Sequence, residues 1–361
     1  MRSVLASFRI APLALVFLLV GATLPPTTVP TRTTHPLVGF TFLPARATDG
    51  GYQPTKALAT LLRKLHPDLV RIPIYWSSVA PSQDRLDFAA VDELLATVAA
   101  ANARPHATHT RVILVAGVRN LGWPEVHLPT WVDSGTTLDL GQITSSFAYL
   151  DYLRGSFQQY ATSPLLYAWQ VENEPLDNTN EALGVVSLEG ATVADEVALL
   201  KSIDPVHRAI VTTYNSASVS LDLEATSLFS WLFELLPGPK PVGHPQPALL
   251  LGDILGLDVY VATPSTPLDD ASVTERIGWK AAALTYWANE ALENGKEVWV
   301  TEMQGSTWDG EPNFSPEDLL ESAQQYSGTG VSAVLLWGVE DWLSSPTWMT
   351  AGQSAFQTLR N

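Results

Sequence analysis

From residue 37 onward, short apolar runs alternate with longer stretches in which apolar residues recur every three or four positions. The short runs are Val38–Phe42, Leu69–Ile74, Arg111–Ala116, Leu166–Asn173, Ala209–Tyr214, Ile254–Tyr260, Glu297–Glu302 and Ser332–Trp337. They are near-continuously apolar, as expected of parallel strands covered on both faces. Helical spacing falls on Thr55–Leu65, Phe88–Ala101, Ile143–Ala161, Ala191–Ile203, Ser227–Leu236, Ser272–Glu293, Ser315–Tyr326 and Thr347–Leu359. Asp87 is placed to cap the second of these, Asp204-Pro205 stops the fourth, and Ser315-Pro316-Glu317 opens the seventh. Strands and helices in strict alternation predict the α/β class, as a single-domain (β/α)8 TIM barrel over residues 37–361. The competing arrangement, an open doubly wound sheet, usually carries a Gly-rich turn after its first strand; here Phe42-Leu43-Pro44 follows. The long connections Gly117–Thr136 and Asn215–Leu251 both follow strands and so crown the rim that bears barrel active sites. Pro237, Pro239, Pro241, Pro245 and Pro247 make the second an irregular wall.

The N-terminal region follows a different pattern. Arg2 and Arg9 flank the start of an apolar run, Ala11 to Val20, which Gly21-Ala22 closes with small residues. Residues 1–22 thus read as a signal peptide and residues 23–36, rich in Thr and Pro, as a flexible leader. An uncleaved anchor is the alternative, but the run is short for a span of about 20 residues. The expectation is a secreted or extracytoplasmic protein with no stable membrane insertion after cleavage. The chain has no cysteine, which removes disulfides, thiolate metal sites and cysteine nucleophiles. Its 37 acidic residues against 20 basic ones, a net charge of −17, repel phosphate backbones and argue against a nucleic-acid partner. The histidines form neither His-x-His at a strand end nor His-Glu-x-x-His, so no metal or other cofactor is expected.

Two of the strands end on glutamates, in Trp169-Gln170-Val171-Glu172-Asn173-Glu174-Pro175 and in Glu297-Val298-Trp299-Val300-Thr301-Glu302-Met303. Glycoside hydrolysis needs one carboxyl to protonate the leaving oxygen and a second to attack the sugar or activate water. Strands four and seven lie three apart in a ring of eight, so Glu174 and Glu302 face one another across its mouth. Either glutamate alone reads equally well as an exposed strand-end residue; the pair in this frame reads as catalytic. Trp76, Trp123, Trp308 and Trp342 fall in predicted loops on the same rim, where they would serve as sugar platforms. Trp123-Pro124-Glu125 adds a third carboxylate suited to sugar hydroxyls. Glu172 fits less easily. Strict alternation turns it to the same side as Glu174, so it needs a buried partner or a bulge near Asn173.

With Asn173-Glu174-Pro175 on strand four and Thr301-Glu302 on strand seven, residues 37–342 resemble clan A glycoside hydrolases, as in glycoside hydrolase family 5. The resemblance implies a retaining β-glycosidase acting on an oligo- or polysaccharide, with Glu174 as general acid/base and Glu302 as nucleophile. It implies that Asn173 binds the sugar 2-hydroxyl, that Arg71 stands beside Glu302 and lowers its pKa, that Tyr260 hydrogen-bonds Glu302, and that Trp337 floors the sugar subsite. Two features depart from the family pattern. Asp258 stands where family 5 often has the histidine of His-x-Tyr, and the histidine common near the end of strand three is absent, with Asn120 following that strand. The same scaffold would also suit a non-catalytic saccharide-binding barrel, a transglycosylase or a metal-dependent barrel hydrolase.

Overall fold

A computed structural model describes residues 35–132, 139–177, 187–214, 243–262, 271–307 and 313–361. Eight parallel strands close in sequence order into a barrel: β1 (Leu37–Thr41), β2 (Leu69–Pro73), β3 (Arg111–Ala116), β4 (Leu166–Val171), β5 (Arg208–Tyr214), β6 (Ile254–Val259), β7 (Glu297–Gln304) and β8 (Ala333–Trp337). β8 returns to β1 with Leu37 opposite Ala333. The longer helices outside the ring are α1 (Pro54–Leu65), α2 (Ala89–Asn102), α3 (Phe147–Tyr160), α4 (Gly190–Ile203), α5 (Pro245–Leu251), α6 (Val273–Glu293), α7 (Pro316–Ser327) and α8 (Pro346–Arg360). The expected TIM barrel is therefore the fold.

Local differences have local causes. The predicted helix Ile143–Ala161 is two, Leu140–Thr144 and α3, because the Ser146 side chain accepts from Tyr149 N and opens a new helix there. Pro245 and Pro247, expected in an irregular wall, lie in α5, where proline suits a first turn. Asp87 does not cap α2 directly; Phe88 holds the cap position and the Asp87 carboxylate accepts from Ala89 N at 3.1 Å. The predicted helix Ser227–Leu236, Pro237, Pro239, Pro241, Trp308 and the proposed signal peptide lie outside the described residues. No helix among the described residues is long and apolar enough to cross a membrane.

Alternation along the strands sorts the barrel interior into layers. Leu69, Ile113, Ala168, Ile210, Ile254, Trp299, Ala333 and Leu335 form an apolar lower plug. Further along the strands, Thr41, Arg71, Gln170, Thr212, Asp258 and Thr301 make a wholly buried polar layer. Val115, Tyr214, Tyr260 and Trp337 then cluster with Leu43 and Leu121 at the mouth. The chemistry thus sits on a dry floor at the C-terminal ends of the strands.

Closure brings β1 hard against β2. A Cβ on Gly39 would lie 2.1 Å from the Leu69 carbonyl oxygen and 2.8 Å from a Leu335 methyl. Gly39→Ala is expected to cost about 1–3 kcal/mol, since a backbone oxygen cannot rotate away. Urea denaturation measures this; an unchanged midpoint would contradict the close approach.

Candidate active site

Glu302 reaches the interior through an irregularity in β7. Val300 pairs with Val334 and Met303 with Leu336, so β7 uses one residue more than β8. Asp258 pairs with Glu302 although Leu257 pairs with Val300, which places the extra residue at Thr301–Glu302. Regular alternation would send these two side chains to opposite faces; the bulge lets both turn inward. Thr301 Oγ1 donates to Asp258 Oδ1 at 2.7 Å. Glu302 Oε1 accepts from Arg71 Nη2 at 2.6 Å, and its Oε2 accepts from the Tyr260 hydroxyl. Arg71 is itself fixed: Nε donates to Thr41 Oγ1 at 2.9 Å, Nη1 to Gln170 Oε1 at 2.8 Å, and the guanidinium lies 5.9 Å from the Trp337 ring centroid. Removing one partner of such a buried ion pair leaves a stranded charge, at a cost of about 3–5 kcal/mol. Arg71 thus stands beside Glu302. Its effect on Glu302 is outweighed, however: burial holds the Glu302 carboxyl above the usual carboxylate range, against the opposing pull of Arg71 and Tyr260.

Glu174 arrives by a different device. β4 ends at Val171, and Glu172 and Glu174 both adopt left-handed φ, 61° and 43°, unusual for residues with a side chain. Bonds from neighbouring elements hold this turn: Glu174 N donates to Thr212 Oγ1 at 2.8 Å and Asn173 N to the Arg119 carbonyl at 3.1 Å. Glu174 is buried. Burial foremost, then repulsion from Glu125, Asp258, Asp177 and Glu302, pushes its carboxyl well above the ordinary range. Both carboxyls are thus raised, Glu174 by burial together with like charges and Glu302 by burial against Arg71 and Tyr260. Asn173 accepts from Gln170 Nε2 at 3.1 Å, while its own Nδ2 makes no hydrogen bond among the described residues.

The left-handed turn also resolves Glu172, which leaves the barrel interior. Its carboxylate accepts from Val118 N at 2.9 Å, Arg119 N at 2.6 Å and the Tyr149 hydroxyl at 2.5 Å. Burial raises it to about 7 against these bonds. Tyr149 Oη also lies 2.8 Å from Glu196 Oε1. One phenolic proton cannot serve two carboxylates, and burial and the Glu172 charge hold the Glu196 carboxyl well above the usual range. The unit secures the turn after β3. From that turn Arg119 donates through Nη1 to the Asp177 carbonyl at 2.7 Å and through Nη2 to Glu125 Oε2 at 2.6 Å. Asp177 accepts from Tyr214 N at 2.6 Å and lies 2.9 Å from His244 Nδ1.

Seven of the eight sequence-predicted site residues line or support this one mouth: Glu174, Glu302, Arg71, Asn173, Tyr260, Trp337 and Glu125. Trp123 stands 65% exposed on the turn beside Glu125. Two of the broader set of rim tryptophans do not serve as platforms. Trp76 is buried, stacked on Tyr152 and edge-on to Tyr149 and Trp131, and Trp342 is buried with its indole N–H on the Gly305 carbonyl at 2.8 Å. Asn120, at the histidine departure, faces the scaffold, donating to the Ile74 and Val115 carbonyls. Sequence reasoning passed over Arg119, Asp177, Gln170 and Glu196. Arg119 alone left a trace, as a cation just past a strand end.

No protein-family model matches the chain, and no curated protein matches it. Solved structures do. The GH5_18 protein of Streptomyces cattleya, solved with GlcNAc, aligns at TM-score 0.59 and 16% identity over 84% of this chain and 70% of its own. The GH5_18 protein of Bifidobacterium longum subsp. longum aligns at TM-score 0.62 and 15% identity over 90% and 79%, and a variant of it was solved with Manβ1-4GlcNAc. An exo-β-1,4-mannosidase from an Opitutaceae bacterium aligns at TM-score 0.57 and 14% identity over 90% and 59%. The chain shares the closed eight-stranded parallel barrel with these proteins.

Proposed function

We propose that the protein is a retaining glycoside hydrolase acting on β-linked saccharides. The observation that carries this reading is Glu302, held through one oxygen by Arg71 and through the other by Tyr260, in the same buried mouth as Glu174, whose carboxyl is raised by burial and by the carboxylates around it. Glu302 attacks the anomeric carbon while Glu174 gives its proton to the leaving oxygen; Glu174 then takes a proton from the water that releases the sugar. Asn173 Nδ2 is left to bind the 2-hydroxyl, and Trp337 supplies an aromatic wall. The β-linked ligand and substrate named for the neighbouring barrels support the linkage. The basic and apolar N-terminal segment supports action outside the cytoplasm.

Labelling with a panel of 2-deoxy-2-fluoro glycosides tests the assignment. The electron-withdrawing fluorine slows release of the glycosyl-enzyme, so the expected adduct is on the peptide containing Glu302. An adduct on another carboxylate would refute the assigned roles.

A further inference from the structure

The short turn between Arg119 and Val126 is more elaborately built than a connecting loop requires. Arg119 and Val126 bridge, Asn120 N donates to the Glu125 carbonyl at 2.7 Å, and Glu125 N donates to the Gly122 carbonyl at 2.6 Å. These bonds hold Glu125 at φ 63°, a conformation disfavoured for residues other than glycine. Arg119, wholly buried, grips Glu125 Oε2 with one nitrogen and the Asp177 carbonyl with another. Asp177 N in turn donates to the Glu174 carbonyl at 3.1 Å. Glu125 is therefore tied to the turn that bears the proton donor, whereas Arg71 and Tyr260 tie the nucleophile to β2 and the end of β6.

Two groups on this turn take no part in the double displacement. Glu125 Oε1 accepts no hydrogen bond among the described residues, although the side chain is only 13% exposed. Trp123, two residues earlier, presents an indole largely to solvent, while neighbouring Leu121 is fully buried. A large aromatic held out on a pinned turn beside a half-used carboxylate is what a sugar ring fits: hydroxyls donate to the carboxylate, and the C–H face lies on the indole. Arg119 balances the Glu125 charge, which suits a neutral ring.

Resting on the glycosidase reading, we infer that Glu125 and Trp123 bind the departing sugar, so that this turn selects what is cleaved off and not the sugar that Glu302 attacks. The proton donor stands beside the leaving oxygen, so whatever is fastened to its turn on the open side of the mouth meets the leaving group. The ligand class is a neutral pyranose on the leaving-group side of a β-linkage.

A glycosyl fluoride separates the two halves of the substrate, because its leaving group is a single atom that has no ring to bind. Cellobiose, lactose and β-1,4-mannobiose are each set against the β-fluoride of their non-reducing sugar. The readout is the ratio of kcat/KM for disaccharide to that for fluoride. Each variant is measured at its own pH optimum, because Glu125 also raises the Glu174 carboxyl and only the disaccharides need its proton; there Trp123→Ala and Glu125→Gln are each expected to lower that ratio about tenfold or more, the size of a lost stacking contact or charged hydrogen bond. Trp123 is exposed and Glu125→Gln keeps an acceptor for Arg119, so both variants should fold. A ratio unchanged in both variants, whether the two rates stay level or fall together, overturns the assignment. If the wild-type protein cleaves none of these compounds, the glycosidase reading fails first and this assignment falls with it.

Discussion

Glu302→Gln is expected to lower kcat/KM by about 10⁴–10⁶-fold, the range seen when a covalent nucleophile is removed. That corresponds to about 5–8 kcal/mol of lost transition-state stabilisation. The loss should be similar whether the leaving group is a sugar or fluoride, because bonding to Glu302 belongs to the same displacement transition state whichever group departs. Glutamine keeps the shape: its Oε1 can still accept from Arg71 while its Nε2 donates to the Tyr260 oxygen, so the side chain stays in place. Arg71 loses its counter-charge, so the thermal midpoint should fall, but a single cooperative transition and an unchanged far-UV circular dichroism spectrum would show the variant folded and the loss chemical. A loss of less than about tenfold in steady-state assays would remove Glu302 from the reaction.

The barrel was legible because its signal is redundant. Eight buried parallel strands each leave a near-continuous apolar run, and a ring of them needs no long-range information beyond their order. That Glu174 and Glu302 belong to one barrel mouth was expected from strand count alone. The sequence was silent where the backbone departs from regularity. The bulge at Thr301–Glu302 and the left-handed turns at Glu172 and Glu174 have no glycine to announce them; tertiary bonds enforce them. Strict alternation therefore set Glu172 as a problem inside the barrel, when its carboxylate in fact leaves to hold the turn after β3. Trp76 and Trp342 failed as platforms for a related reason. A tryptophan just past a strand end can equally face the cleft or the helix layer, and the Tyr149 and Tyr152 rings that claim Trp76 come from α3, far along the chain. The Glu196 partnership was hidden in the same way, since nothing in an amphipathic α4 marks a carboxyl destined for a phenol on another helix.

Glu174→Ala is expected to lower kcat/KM on saccharides by about 10²–10⁴-fold, the usual worth of a positioned general acid. The effect should be much smaller for a β-glycosyl fluoride, which leaves without being protonated. Alanine opens space beside the glycosyl-enzyme, so added azide should restore turnover and yield a β-glycosyl azide, the product of attack from the face Glu174 occupied. The pH profile carries an independent sign. Glu302 works ionised, so activity is lost as pH falls through its pKa; Glu174 works protonated, so activity is lost as pH rises through its own. Burial raises both, and Glu125, Asp258, Asp177 and Glu302 raise Glu174 further, which sets the wild-type bell above the range of a solvent-exposed carboxyl pair. Once Glu302 carries the sugar its charge is gone and Glu174 loses part of that upward push, as the second step needs it to act as a base. In Glu174→Ala the alkaline limb should disappear while the acid limb remains. An alkaline limb that survives the substitution, or azide that gives no glycosyl azide, would assign the proton to another group.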